Sequence, residues 1–138
     1  MKSVLLAAVA ALGLAGAARA EPLVTVLTSA EPQTQLMAMV LTLQAVKQGA
    51  AAHVLLCGPA GDIALKNAPA SATAPQKPQG ASPKGVLQAA MQAGATAAVC
   101  AIYLPNKGLE ADALSDGVAV ANPQTMAEQM LAGRVWAF

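Results

Sequence analysis

Aromatic residues are almost missing from this sequence: one Tyr, one Trp and one Phe stand among 138 residues. A core must therefore be built from Val, Leu, Ile, Met and Ala, which allow close helix-to-sheet packing but bury little area each. Charge is sparse as well, at 11% Asp, Glu, Lys and Arg. No basic stripe exists to follow a phosphate backbone, which excludes nucleic-acid binding. His53 is the single histidine, and the two cysteines, Cys57 and Cys100, lie too far apart to form a CxxC redox motif. Gly58-Pro59-Ala60-Gly61 follows an apolar run as a phosphate loop would, but the Lys-Ser/Thr ending is missing, so no nucleotide site is expected. Asp62, Asp112 and Asp116 have no second carboxylate or base at a spacing suited to acid/base work, and they read as loop and cap residues.

What is present begins with a leader. Lys2, an apolar run from Val4 to about Ala18 and the small-x-small triplet Ala18-Arg19-Ala20 form the pattern of a cleavable secretory signal peptide over residues 1–20. The run is short for a membrane span, which takes about 20 residues. Every later apolar stretch is broken by Gly, Pro or charge. A periplasmic protein is expected, touching the membrane only through the leader before cleavage. About 118 residues remain, enough for one domain at 21–138 and not two. Without Lys2 and Arg19, the 8 basic residues fall to 6 against 7 acidic ones, a net charge of −1.

The mature sequence alternates strand and helix signals. Pro22 to Ala30 is β-branched and apolar, a buried strand. Leu36, Val40, Leu43 and Val46 then recur at helical spacing, with Pro32 in the first turn and Gly49 as the stop. Ala51 to Gly58 is a second strand carrying Cys57 at its carboxyl end. The Pro/Ala/Gln/Ser-rich stretch at about 67–82 has no periodicity and reads as a flexible excursion. Ser82 then caps a helix with Pro83 first, Val86, Leu87, Ala90 and Met91 as its buried stripe, and Gly94 as its stop. A third strand follows and places Cys100 near its end. A short helix at 110–117, a short strand at Gly117–Ala121, a helix capped by Asn122 and stopped by Gly133, and a closing strand at Arg134–Phe138 complete the series. This order predicts an α/β fold: a three-layer α/β/α sandwich around a five-stranded parallel sheet.

In open α/β sheets, reactive groups gather at the carboxyl ends of the strands, where both cysteines fall. Two cysteines in an exported chain fit a structural disulfide. They fit equally a reactive thiolate at Cys100, which is followed by Lys107 and a run of loop amides that would favour the charged form. Met37, Met39, Met91, Met126 and Met130 are expected to fill the core, and His53 to be a satisfied or surface residue.

Leu87 to Phe138 resembles the second half of the DsrE/DsrF-like family of small sulfur-relay proteins of the TusD/YchN type. The residues that carry the resemblance are Gly94, Cys100, Lys107-Gly108, Asp116-Gly117-Val118, Ala121 and the closing Arg-Val-Trp-Ala-Phe; the segment from Val24 to Leu65 also fits. The resemblance implies the sheet order 4-3-2-1-5, a persulfide on Cys100, a homo-oligomer, and a sulfur donor or acceptor that is a protein or a small sulfur compound. No cofactor and no metal are expected. Two features differ from the family pattern: the export signal, and Cys57 before the loop, where it is a candidate redox partner for Cys100.

Three functions from different classes therefore stand open. The first is a thiol-based sulfur carrier or sulfurtransferase subunit using Cys100 and Lys107. The second is a non-catalytic periplasmic binding or interaction module stapled by a Cys57–Cys100 disulfide. The third is a soft-metal, copper-type binder in which the cysteines converge with His53 or a Met.

Overall fold

A computed structural model describes residues 21–138; the expected signal peptide lies outside the described residues. Among those residues, no helix is long and apolar enough to cross a membrane. The strands are β1 (Pro22–Leu27), β2 (Ala51–Leu56), β3 (Thr96–Val99), β4 (Val118–Val120) and β5 (Arg134–Ala137). All pairings are parallel, in the order β4-β3-β2-β1-β5. The expected five-stranded parallel sheet is thus present. The helices are α1 (Pro32–Lys47), α2 (Ala70–Thr73), α3 (Pro83–Gln92), α4 (Tyr103–Lys107) and α5 (Pro123–Ala132).

The two expected caps, Ser82 and Asn122, open α3 and α5, and Glu31, which the sequence reading did not name, caps α1. The amide of Thr34 donates to the Glu31 carboxylate at 2.7 Å, that of Gly85 to the Ser82 hydroxyl at 3.2 Å and that of Thr125 to the Asn122 side chain at 3.1 Å. In each case proline follows the cap, where its missing N–H has no intrahelical partner to lose. Gly49 and Gly94, at φ 93° and 115°, end α1 and α3 in a backbone region that side chains disfavour.

Successive strand residues point to opposite faces, and the two faces carry different apolar clusters. Leu27, Val54, Leu56 and Val99 belong to the main core, with Met39 and Leu87 from the helices. Val24 and Leu55 belong to a smaller cluster with Ala121, Met126 and Met130. The handedness of the crossovers explains this division. From β1 through β4 the chain steps across the sheet in one direction, so right-handed connections put α1 and α3 on one face; the return from β4 to β5 puts α5 on the other.

Several local features differ from the sequence reading. The buried side of α1 is Gln35, Ala38, Met39 and Thr42, while Leu36, Val40, Leu43 and Val46 are only partly buried. α1 packs extensively against α3, so small Ala38 and Thr42 meet the core while the larger row turns aside. The buried polar groups on this side are paired: Thr42 donates to the Ala38 carbonyl at 2.8 Å, which makes Thr25 the donor in the 2.8 Å Thr25–Thr42 bond. Met37 is 53% exposed and is not a core residue. The stretch at 67–82 holds the single turn of α2 and an antiparallel bridge between Gln76 and Ala81. Gln76 also donates to the Pro32 carbonyl at 2.9 Å, tying the excursion to the start of α1. The helix expected over 110–117 is a 3₁₀ turn at Ala111–Ala113.

Candidate functional site

The carboxyl edge of the sheet is one continuous row of backbone bonds. The amide of Thr28 donates to Phe138 at 2.8 Å, that of Cys57 to Leu27 at 3.0 Å, that of Cys100 to Leu56 at 2.8 Å and that of Ala121 to Val99 at 2.8 Å. Leu56 pairs with Val99 in register, so Cys57 and Cys100 stand side by side one position beyond the paired strands. Their Cα atoms are 5.1 Å apart and their sulfurs are joined in a disulfide, a separation well within disulfide geometry. Both residues are partly buried. They share the α5 face with Val24, Leu55, Met126 and Met130. The amino end of α5 stands at the same edge, because Asn122 follows directly on Ala121.

Each cysteine leads into a helical segment. Cys57 opens the 3₁₀ helix Gly58–Ala64, and the Cys100 carbonyl accepts from the amide of Tyr103 at 2.8 Å as α4 begins. The two segments are clamped to each other. The Tyr103 hydroxyl donates to Asp62 Oδ1 at 2.6 Å, Lys107 Nζ meets the same oxygen at 2.9 Å, and that ammonium lies 5.9 Å from the centre of the Tyr103 ring. Burial, reinforced by the hydrogen bond to Asp62 and by its charge, pushes the Tyr103 phenol well above its ordinary value. Gly61 lies against the Tyr103 ring so closely that a Cβ there would overlap it.

Of the residues expected from sequence, Cys57 and Cys100 are brought together. Lys107 is placed in an ion pair with Asp62, so its charge is offset and its visible contribution is to hold α4 on the segment leaving Cys57. Asp62 and Tyr103 were not singled out as partners. The signal that could have found them is modest: Asp62 is the only acidic residue between Glu31 and Glu110, and a charge that isolated in an apolar stretch needs a partner. His53 does not converge with the cysteines. Its Nδ1 is 2.7 Å from the Thr96 hydroxyl, and it lies four residues before Cys57 on one extended strand, roughly 13 Å away. The copper set that would include His53 is therefore not assembled. Among the described residues no cluster of three or more His, Cys, Asp or Glu is placed to hold a metal.

Comparison with protein-family models gives no match, and comparison with curated proteins gives none either. Comparison with solved structures does. The crystal structure of the E. coli protein YchN aligns at a TM-score of 0.68 and 16% identity, covering 86% of this chain and 99% of that one. MTH1491 from Methanobacterium thermoautotrophicum, a protein of unknown function, aligns at a TM-score of 0.59 and 13% identity, covering 85% of this chain and 98% of that one. At these identities the likeness is one of fold. With its five parallel strands in the order the resemblance implied, the chain has the DsrE-like fold.

Proposed function

We propose that the protein is an exported thiol-based sulfur carrier in which Cys100 accepts the sulfur and Cys57 is its redox partner. The observation that carries this reading is the Cys57–Cys100 disulfide across the carboxyl ends of neighbouring strands in a DsrE-like sheet. The resemblance of Leu87–Phe138 to small sulfur-relay proteins supports it.

The chemistry follows from the pairing. While the disulfide is closed neither sulfur is a nucleophile, so a dithiol reductant must first open it, giving two thiols and leaving the reductant as its own disulfide. The Cys100 thiolate then attacks the outer sulfur of a donor persulfide. The donor S–S bond breaks, a donor thiolate leaves, and Cys100 becomes a persulfide. An acceptor thiolate can remove that outer sulfur. Alternatively, Cys57 attacks the inner sulfur, expels hydrosulfide and restores the disulfide. With Lys107 bound to Asp62, support for the Cys100 thiolate comes from the amides that open α4 and from the amino end of α5. Lys107 acts in this scheme as a positioning residue.

Homo-oligomer formation belongs to the same reading, since α5 buries none of its residues and Leu131 is 89% exposed. The test is to add a small-molecule persulfide to the purified protein, with and without prior dithiol treatment, and to weigh it under native and denaturing conditions. A gain of one sulfur that requires reduction, disappears in Cys100→Ser and persists longer in Cys57→Ser supports the carrier; an oligomeric native mass supports the assembly. No gain in either redox state overturns the carrier and leaves a disulfide-stapled binding module.

A further inference from the structure

The two cysteines are gripped from both sides, and the grips differ in kind. On the amino side the sheet holds them, through the amide bonds of Cys57 to Leu27 at 3.0 Å and of Cys100 to Leu56 at 2.8 Å. On the carboxyl side both strands have ended. Gly58, at φ 55°, turns the chain away from β2 in a backbone region that side chains disfavour. There the two departing segments are joined through one carboxylate: Asp62 Oδ1 accepts from the Tyr103 hydroxyl at 2.6 Å and meets Lys107 Nζ at 2.9 Å, with the Tyr103 ring lying against Gly61.

Asp62 stands five residues after Cys57, and Tyr103 three after Cys100, so the clamp and the disulfide close the same short loop from opposite ends. Two links in one short loop support each other: each holds together the ends that the other must join, and the gain is reciprocal. The clamp contains no sulfur, so it does not open when the bridge is reduced. Tyr103 and Leu104 belong to the main core, which anchors α4 to the sheet in either redox state. The raised proton affinity of the Tyr103 phenol keeps it a donor across the range in which thiols ordinarily ionise.

We infer that Asp62, Tyr103 and Lys107 are positioning residues that set the effective concentration of the Cys57 thiol at Cys100, and so control how readily the bridge is reduced and how a Cys100 persulfide is discharged. The second half rests on the carrier reading above. With the clamp closed, the Cys57 thiolate stands beside the inner sulfur of the persulfide. Its attack forms the disulfide and expels hydrosulfide, in competition with an acceptor thiolate that removes the outer sulfur and leaves the Cys100 thiolate. Loosening the clamp slows the first route and leaves the second open.

The test equilibrates the purified protein in buffers of reduced and oxidised dithiothreitol and counts free thiols by alkylation and intact mass, for wild type, Tyr103→Phe, Asp62→Ala and Thr25→Val. The last is the control for lost stability alone, since it removes the buried bond from Thr25 to Thr42 on α1 and lies in neither segment. Tyr103→Phe and Asp62→Ala are each expected to make the bridge about 10-fold easier to reduce, the effect of one bond to a charged group and roughly 30 mV for a two-electron couple. Thr25→Val is expected to keep the wild-type midpoint. Loaded with a small-molecule persulfide, the two clamp variants should hold the added sulfur longer by the same factor and release hydrosulfide correspondingly slowly. Unmoved midpoints in both clamp variants, or an equal shift in Thr25→Val, would overturn the inference, and unchanged sulfur lifetimes would overturn its second half. If no protein takes up sulfur the carrier reading fails, while the midpoints still decide the role of the clamp.

Discussion

His53 shows how much of one residue's role is local and how much is not. As a lone histidine opening an apolar strand it was expected to be satisfied, and its 2.7 Å contact with Thr96 bears that out. Its proton affinity, however, depends on burial, which pushes its pKa below the ordinary 6.5. The sign of the consequence follows by linkage. The unfolded chain protonates first, so stability is full above about pH 6.5 and falls as the pH drops through the lower folded value. Melting temperatures measured across that window should decline in the wild type and decline less in His53→Gln. Parallel curves for the two proteins would remove the histidine from the account. The cysteines were legible for a simpler reason: each follows a short apolar run, and the end of such a run is the edge of a sheet. The partner of Lys107 was not legible, because Asp62 is far away in sequence and meets it only after two segments fold back beside each other.

At the scale of elements, capped helices were easy and the short segments after the cysteines were hard. A cap, a following proline and a closing glycine act within a few residues, so α1, α3 and α5 could be placed from sequence. α4 has five residues and contains Pro105, which argues against a helix by propensity. Pro105 sits in the first turn, where amides have no intrahelical partner and a proline costs little. What holds α4 is the clamp of Asp62 on Tyr103 and Lys107. Tyr103→Phe keeps the ring and deletes the hydroxyl bonded to that carboxylate, and should lower unfolding stability by about 1–2 kcal/mol in urea denaturation. A change within a few tenths would show that packing against Gly61, rather than the hydrogen bond, holds the two segments.

For the whole molecule the disulfide is the main covalent constraint among the described residues. It joins cysteines separated by 43 positions, and closing a loop of that length stabilises a fold by about 4 kcal/mol in the chain-entropy treatment. Urea denaturation of oxidised, reduced and doubly Cys57→Ser, Cys100→Ser protein should give one stable form and two similar, weaker ones. Coincident curves for all three would mean that the bridge does not constrain the unfolded chain. A protein built largely from Ala, Val and Leu with so few aromatics has modest area to bury, so this constraint is a large share of a typical stability. The sequence by itself determined the alternation of strands and helices, the starts and stops of the three long helices, and the position of both cysteines at strand ends, because each of these is written in residues close together in the chain. Only the tertiary structure decided that the cysteines are bonded, that Lys107 is bound to Asp62 and that, among the described residues, α5 packs on the face of the sheet opposite α1 and α3. Those outcomes depend on strand order and crossover hand, which bring distant residues into contact only once the whole sheet has formed.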